Sequence, residues 1–323
     1  MTRTAARARG TRTSAKRTRA SAARPRAAAT GAPDPFRHPS TLALVRHALA
    51  EDIGRGDITT AATVPDGVQG RAVLATREAC VVAGLPLVEM VLGELHATRP
   101  LRVRLRAREG QRVAPGTVLA EIEGELARLL TGERVLLNLV QSLCGVATVT
   151  RRYVDAVAGT RTTILDTRKT TPGLRLLQKY AVRMGGARNH RFGLDDGVLI
   201  KDNHIAACGG SLRLAVERAR AAAPAGIKIE VECDRLEQVR EALAAGADIV
   251  LLDNMRPEQV RKARALVGDR VLLEVSGGVS LDTVRAYAEA GADFISVGRL
   301  THSAPAIDLG LDVRSARPGA KGR

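Results

Sequence analysis

The sequence predicts an α/β protein whose C-terminal half contains parallel β-strands joined by α-helices. Short β-branched runs alternate with amphipathic helical patterns, and their spacing of roughly 20 to 35 residues leaves room for a helical crossover between strands. The segment Ala245–Ile249 recurs 45 residues later as Ala290–Phe294, and each copy takes a helix through a glycine turn into a strand. This repetition favours a (β/α) barrel; the alternative, a doubly wound sheet, lacks a GxGxxG motif after its first strand. The six predicted strands are Thr163–Asp166, Gly197–Lys201, Ile227–Cys233, Asp248–Asn254, Val271–Gly277 and Phe294–Gly298.

Five elements are predicted before this barrel, in chain order. The first is a helix capped by Ser40 or Thr41 that ends before Gly54. A strand follows, and then a segment in which apolar residues alternate with arginines, so one face is expected to be buried and the other basic. Next come a hairpin and a long helix. These last four elements are Arg71–Thr76, Leu101–Arg108, Glu109–Ile122 and Glu133 to about Ala158.

The composition is typical of a globular protein with an aliphatic core. Of the 323 residues, 45% are apolar and 26% are charged, which excludes a disordered chain. Only 2% are aromatic, which excludes a platform for stacking nucleic-acid bases. No apolar run approaches the roughly 20 residues of a membrane span, so no membrane association is expected. The four cysteines form no CxxC pair, and we expect buried free thiols in a reducing compartment.

Half of the net charge lies in a short N-terminal segment. The chain carries +16, and residues 1–36 account for +8 of it through nine Lys or Arg and one acid. This segment has no Leu, Ile, Val or Phe before Phe36, so it cannot bury an apolar face and is predicted to be a disordered basic tail. It also lacks the apolar core of a secretory signal, and the expected location is cytoplasmic. Nucleic acid is not expected as a partner.

Cationic side chains are concentrated where a barrel places its active site, at the C-terminal ends of the strands. Nine Lys, Arg or His side chains lie between residues 168 and 201, against three aspartates between residues 166 and 201. Arginine binds carboxylate or phosphate in bidentate fashion and lysine adds a point charge, so the expected ligands are polyanions. The cations at strand ends or in a glycine-rich loop are Arg168, Lys169, His190, Arg191 and Lys201.

Glycine-containing turns at the ends of the last two strands predict a phosphate site. Ser276-Gly277-Gly278 and Val297-Gly298 each precede a helical pattern, so backbone N–H groups and a helix N-terminus can surround an anion. Glu232 and Asp253 lie near the C-terminal ends of neighbouring predicted strands and can accept hydroxyl groups or bind a metal. A sugar phosphate fits this combination of groups.

These residues resemble the quinolinate phosphoribosyltransferase family, also called carboxylating nicotinate-nucleotide pyrophosphorylase. The resemblance covers about residues 40–312, nearly everything except the basic tail. It rests on an ordered series of motifs: Glu51–Thr60, Gly132-Glu133-Arg134, Asp166–Gly173, Asn189-His190-Arg191 and Ile200–His204.

The resemblance implies a fold and a reaction. The fold is an N-terminal α/β sandwich-like domain, residues 37–148, followed by an open, incomplete (β/α) barrel, residues 149–312, and a C-terminal tail, residues 313–323. The reaction joins quinolinate to phosphoribosyl pyrophosphate and releases pyrophosphate, carbon dioxide and nicotinate mononucleotide for NAD biosynthesis. The family forms a homodimer or larger homo-oligomer with shared active sites. It uses Mg²⁺ with the phosphoribosyl pyrophosphate and no organic cofactor.

The resemblance also implies roles for individual residues. A neighbouring subunit's Arg134 would join the strand-end residues in holding the two carboxylates of quinolinate, and the lysines would neutralise carboxylate and pyrophosphate. Two acids would engage the ribose hydroxyls and Mg²⁺, directly or indirectly, and the last two loops would bind the 5′-phosphate. Arg299 departs from the small or apolar residue common in the family, so no role is assigned to its side chain. The substrate-binding set is Arg134, Thr167, Arg168, Lys169, His190, Arg191, Lys201, Glu232, Asp253, Ser276, Gly277, Gly278, Val297, Gly298 and Arg299, of which Lys169, Lys201, Glu232 and Asp253 are the expected catalytic residues.

Two kinds of alternative remain at this stage. One is a related phosphoribosyltransferase of the same fold, either associated with molybdate transport or using nicotinate as its substrate. The other is a nucleic-acid-binding protein that acts through the basic tail, whose affinity would fall steeply with salt. The surplus of cations favours a substrate with two carboxylates over nicotinate, which has one.

Overall fold

The computed structural model describes residues 34–315 of the chain. Residues 1–33 of the predicted basic tail therefore lie outside the described part of the chain. Residues 34–36 belong to the described part, where Pro35–Arg37 form a short 3-10 helix. No helix in the described part is both long and apolar enough to span a membrane.

The first half of the described chain contains four α-helices and five strands. Strands β1 (Gln69–Thr76), β5 (Val118–Glu125) and β3 (Arg102–Leu105) lie side by side in an antiparallel sheet whose other edge is β12 (Leu309–Ser315), so the sheet order is β12-β1-β5-β3. Residues 313–315, which the sequence prediction assigned to a C-terminal tail, are thus part of a strand. The elements are α1 (Pro39–Ile53), α2 (Ile58–Thr63), β1 (Gln69–Thr76), β2 (Cys80–Val81), α3 (Leu87–Gly93), β3 (Arg102–Leu105), β4 (Arg112–Val113), β5 (Val118–Glu125) and α4 (Leu126–Ala156).

The start of α1 differs from the prediction. The helix begins at Pro39, and the side chain of His38 caps it by accepting a hydrogen bond from the Ser40 N–H at 3.2 Å. Ser40 and Thr41 are therefore inside the first turn, and their predicted capping role is wrong. Proline has a φ angle that suits the first helical position and has no N–H to satisfy there, which explains the earlier start. The predicted end before Gly54 is confirmed.

The predicted hairpin over residues 109–122 is wrong. Strand β4 pairs with β2 through Cys80 and Val113, whereas β5 pairs with β1 and β3. The two segments are strands, but each finds a partner elsewhere in the chain. A local turn signal cannot distinguish these pairings, because long-range packing decides them.

The alternating segment of β3 also differs from expectation. Leu105 is 49% exposed, so the apolar face of this edge strand is not uniformly buried as predicted. On the basic side of this segment, Arg106 forms an ion pair with Glu121 of β5 at 2.7 Å. Glu123 of β5 pairs instead with Arg71 of β1 at 3.2 Å. Among the four arginines of the segment, Arg106 is the one that forms an ion pair within the described residues.

The second half is an open (β/α) barrel, as predicted. All six strands are parallel in the order β6-β11-β10-β9-β8-β7, and the edge strands β6 and β7 do not pair with each other. The alternating elements are β6 (Thr163–Leu165), α5 (Arg175–Met184), β7 (Val198–Ile200), α6 (Asp202–Ala207), α7 (Leu212–Ala222), β8 (Ile229–Cys233), α8 (Leu236–Ala244), β9 (Ile249–Asp253), α9 (Pro257–Val267), β10 (Leu272–Ser276), α10 (Val284–Glu289), β11 (Phe294–Ser296) and α11 (Arg299–His302).

The 31-residue helix α4 connects the sheet and the barrel. It runs across the predicted boundary between residues 148 and 149 and contacts both β12 and α5. At Gly145 the helix approaches the chain so closely that a Cβ atom would lie 2.0 Å from the Pro305 carbonyl oxygen. The core around it is aliphatic, as the composition predicted. The cysteines are free; Cys208 is partly exposed, which corrects its predicted burial, and the other three are buried.

Candidate active site

A cavity of about 320 Å³ opens at the C-terminal ends of the barrel strands. It brings together every substrate-binding residue predicted from the sequence except Arg134. The predicted residues that line it are Thr167, Arg168, Lys169, His190, Arg191, Lys201, Glu232, Asp253, Ser276, Gly277, Gly278, Val297, Gly298 and Arg299. Residues from β6 to β11 and the loops after them therefore meet at one site, as the barrel topology requires.

One set of cations in the cavity has no acidic partner among the described residues. Within residues 34–315, Arg168, Lys169 and Arg191 form no ion pair, and the buried Nε of Arg168 has no hydrogen-bond partner. Burial lowers the pKa of the Arg191 guanidinium, and the nearby charge of Arg168 lowers it further. Two guanidinium groups held this close are suited to a ligand with more than one negative group.

A second group of side chains adds carboxylates to the opposite part of the cavity. The Lys201 ammonium forms an ion pair with Glu232, and Asn254 Nδ2 donates to Asp253 Oδ2 at 2.8 Å. Glu232 is the second-to-last residue of β8, and Asp253 is the last residue of β9. Neighbouring parallel strands thus place both acids beside the cations, where they can accept hydroxyl groups.

The loop after β10 has a backbone that only glycine adopts readily. Gly277 has φ of +90° and Gly278 has φ of +63°. A Cβ on Gly277 would lie 2.2 Å from Asn254 Oδ1, so the loop leaves no room for a side chain there. Gly298 precedes α11 and would bring an added Cβ to 3.0 Å from Lys169 Cδ. Both loops line the cavity, and their glycines let an anion approach the backbone closely, as expected for a phosphate site.

His190 is held by the chain at both ring nitrogens. Nδ1 accepts a hydrogen bond from the Arg191 N–H at 2.7 Å, and Nε2 lies 3.1 Å from Glu230 and 3.5 Å from Glu274. Since Nδ1 is an acceptor, Nε2 keeps its proton and donates it toward the carboxylates. A metal ion at these three residues would need the Nε2 lone pair, so this cluster is not suited to bind one.

Sequence reasoning missed several residues of the cavity. Glu274 and His302 are the polar members with the clearest signals: Glu274 interrupts the apolar run of β10, and His302 follows the glycine loop by one helical turn. Burial raises the pKa of the Glu274 carboxyl well above its ordinary value, and the neighbouring Glu230 adds to this rise. The other missed residues are Leu199, Leu251, Val279 and Ser296.

Arg134 lies elsewhere on the molecule. It is exposed on α4, one turn after Leu130, and it does not line the cavity of its own chain. This position leaves it available to a second molecule.

The chain matches two family models. The model described as "Quinolinate phosphoribosyl transferase, N-terminal domain" matches residues 57–144, and the corresponding C-terminal domain model matches residues 146–312. Together they cover most of the chain.

Relatives and solved structures agree with this match. The chain is 48% identical over 273 residues to the nicotinate-nucleotide pyrophosphorylase [carboxylating] of Mycobacterium leprae, covering 83% of this chain and 95% of the relative. It is 44% identical over 270 residues to the probable enzyme of the same name from Bacillus subtilis, covering 84% and 92%. The solved nicotinate-nucleotide pyrophosphorylase from Francisella tularensis superposes with a TM-score of 0.80 at 39% identity, covering 88% of this chain and all of that structure. The chain therefore belongs to the quinolinate phosphoribosyltransferase family, and the resemblance seen in its motifs is confirmed.

Proposed function

We propose that this chain joins quinolinate to phosphoribosyl pyrophosphate, forming nicotinate mononucleotide, pyrophosphate and carbon dioxide. The observation that carries the proposal is the pair Arg168 and Arg191, which line the same cavity without an ion-pair partner in the described chain. Quinolinate is a dianion with adjacent carboxylates, so it can engage two guanidinium groups at once. The glycine loops at Gly277 and Gly298 supply the neighbouring phosphate site.

The first half of the reaction exchanges one bond at ribose C1 for another. The bond from C1 to the pyrophosphate oxygen breaks, and the pyridine nitrogen of quinolinate forms a bond to C1. C1 gains oxocarbenium character as pyrophosphate leaves, and the carboxylates of Glu232 and Asp253 stabilise this charge. Lys169 and Lys201 neutralise the departing pyrophosphate and the substrate carboxylate.

The second half is decarboxylation. The bond between pyridine C2 and its carboxylate breaks and carbon dioxide leaves, so the electron pair of that bond stays on C2. The adjacent positively charged ring nitrogen stabilises this carbanion, and a proton from solvent then bonds to C2. Because the ring nitrogen supplies the stabilising charge, the reaction requires no organic cofactor.

The donor set of the cavity fits Mg²⁺, which prefers carboxylate oxygens, phosphate oxygens and water. Glu232 and Asp253 are the residues that would hold the ion, directly or through water, together with the substrate's pyrophosphate. When bound, Mg²⁺ would neutralise charge on the leaving group.

The proposed assembly is a homodimer or larger homo-oligomer in which Arg134 completes the site of a neighbouring subunit. Arg134 is exposed and shares its face of α4 with the partly exposed Leu130. Leu194 is 73% exposed and lies three residues after the cavity residue Arg191, so the same loop also carries exposed apolar surface. A contact between these two surfaces would bury both and add a third arginine to the dicarboxylate site. The cytoplasmic location stays a prediction.

The test is to incubate the purified protein with phosphoribosyl pyrophosphate, Mg²⁺ and quinolinate, with nicotinate in a parallel reaction, and to follow carbon dioxide and nicotinate mononucleotide. We expect product from quinolinate alone. Arg168→Ala should abolish turnover, whereas Arg240→Ala, an exposed arginine on α8, should not. Product from nicotinate only would move the chain to a related phosphoribosyltransferase, and wild-type kcat/KM in Arg168→Ala would remove Arg168 from the site.

A further inference from the structure

A buried ion pair lies directly behind the substrate cavity. Asp166 follows β6 and is 0% exposed, Lys179 lies on α5 and is 1% exposed, and Lys179 Nζ contacts Asp166 Oδ1 at 2.6 Å. Burial raises the pKa of Asp166 and lowers that of Lys179, so desolvation opposes the charged form of each residue. An ion pair buried to this extent contributes little net stability, which suggests that it serves another purpose. Neither residue lines the cavity.

The pair holds the backbone of His190 on both sides. The His190 N–H donates to Asp166 Oδ1 at 2.8 Å, and the His190 carbonyl accepts from Lys179 Nζ at 3.1 Å. The second carboxylate oxygen of Asp166 accepts from Asn189 Nδ2 at 2.6 Å, and the same amide donates to the Lys179 carbonyl at 2.9 Å. The loop before β7 is thus attached to β6 and α5 through these two charged side chains.

The ring of His190 extends this network to Arg191. Its Nδ1 accepts the Arg191 N–H, and its Nε2 faces Glu230 of β8 and Glu274 of β10. Both ring nitrogens are engaged by the chain, so the imidazole fixes this loop to β8 and β10. The guanidinium of Arg191 is held at one further point, where Nη1 donates to the Gly197 carbonyl at 2.9 Å.

This arrangement solves an electrostatic problem of the site. Arg168 and Arg191 repel each other before an anion binds, and a flexible arginine would turn away toward solvent. A fixed backbone at residues 190–191 keeps the second guanidinium beside the first. We infer that Asp166, Lys179 and His190 are positioning residues that aim Arg191 at the dicarboxylate substrate and thereby set the affinity for quinolinate. This inference rests on the proposed function.

The test compares substrates and variants. Asp166→Asn keeps the size of the side chain but removes its charge, and we expect KM for quinolinate to rise roughly 10- to 100-fold, as a misplaced binding group does. KM for phosphoribosyl pyrophosphate should stay within about twofold, because the phosphate loops follow other strands. Direct calorimetric titration with quinolinate should show the same loss of affinity without turnover.

Two further variants separate positioning from stability. Asp166→Asn should lower the Tm, because the buried Lys179 loses its counter-charge. Adding Lys179→Met should recover part of this decrease in Tm, while quinolinate affinity stays low. The control is Asp293→Asn, since Asp293 is 7% exposed and pairs with Arg264 just before β11, at the opposite end of the strands. We expect Asp293→Asn to lower Tm without a selective change in quinolinate affinity.

The outcomes are distinct. A wild-type protein that neither binds nor converts quinolinate contradicts the proposed function. If the wild type is active, three results would show that the positioning role is wrong. Asp166→Asn could leave quinolinate affinity unchanged, or it could change the KM values of both substrates equally. The third such result is a loss of quinolinate affinity in Asp293→Asn as large as in Asp166→Asn. A selective loss for quinolinate that persists in the double variant supports the positioning role.

Discussion

Replacing Glu274 by glutamine tests whether the barrel interior holds a neutral carboxylic acid. Glu274 is 1% exposed, and burial, with the charge of Glu230 beside it, raises its pKa from 4.5 to about 8. In the unfolded chain the carboxyl loses its proton near 4.5, whereas in the folded chain it keeps it until about pH 8. The contribution of Glu274 to stability is therefore largest below pH 4.5 and is lost as pH rises from 4.5 to about 8. Glutamine imitates the protonated acid and does not titrate, so it removes this pH dependence.

The expected magnitude follows from the two pKa values. Each pH unit above 4.5 lowers the free energy of unfolding by about 1.4 kcal/mol, so the wild type loses about 3 kcal/mol by pH 7. Glu274→Gln should match the wild type near pH 5 and exceed it by about 3 kcal/mol near pH 7. At about 2 °C per kcal/mol for a chain of this size, the Tm should be higher by roughly 6 °C.

The assay is urea and thermal unfolding of both proteins across this pH range. Glu258→Gln, which removes an exposed carboxylate on α9, controls for the general effect of the substitution. A Tm difference between Glu274→Gln and wild type that stays constant from about pH 5 to about pH 8 would refute the reasoning.

Three further predictions concern the site and the tail. Gly277→Ala should raise KM for phosphoribosyl pyrophosphate by at least about tenfold, because the new Cβ meets Asn254 and φ is positive. The control Gly116→Ala is also at positive φ but has open space around it, so it should lower stability only. Equal KM values for phosphoribosyl pyrophosphate in the two variants would contradict the phosphate role. Removing Mg²⁺ with EDTA should abolish product formation, and adding excess Mg²⁺ should restore it, whereas activity that persists in EDTA would exclude a required metal. Deleting residues 1–33 should leave kcat/KM unchanged. The deletion stops before Phe36, whose ring packs edge-on against the ring of Tyr180 with 4.9 Å between the ring centroids. A loss of activity that depends on salt concentration would favour a role for the tail.

The barrel could be predicted because its strands carry a local signal. Each buried parallel strand is a short β-branched run, and topology places the residues after these runs at one edge. Arg168, Lys201 and Asp253 could therefore be assigned to one site without knowing any distance. The family motifs added roles to these positions and also contributed Arg134, which the strand pattern does not select.

The parts that failed depend on long-range packing. The pairing of β4 with β2, and of β12 with β1, joins segments that are far apart in sequence, and no local pattern specifies such partners. The apolar run around Glu274 predicts a buried strand and gives this residue no role, although a glutamate within such a run is itself a signal. The role of Asp166 could not be inferred either, since its contacts with Lys179 and His190 arise only when β6, α5 and the next loop pack together.

The pairing of β12 with β1 has a consequence for how the chain folds during synthesis. Strand β1 ends at Thr76 and its edge partner begins at Leu309, so the ribosome must add roughly 230 residues before this edge of the first sheet is covered. At about 5 to 20 residues per second, the exposed edge persists on the order of 10 to 50 seconds. During this interval the unpaired strand is exposed to the other nascent chains that are being synthesised on the same messenger RNA. We expect folding yield to depend on translation speed and on chaperones that shield strand edges, more than on the intrinsic stability of the barrel.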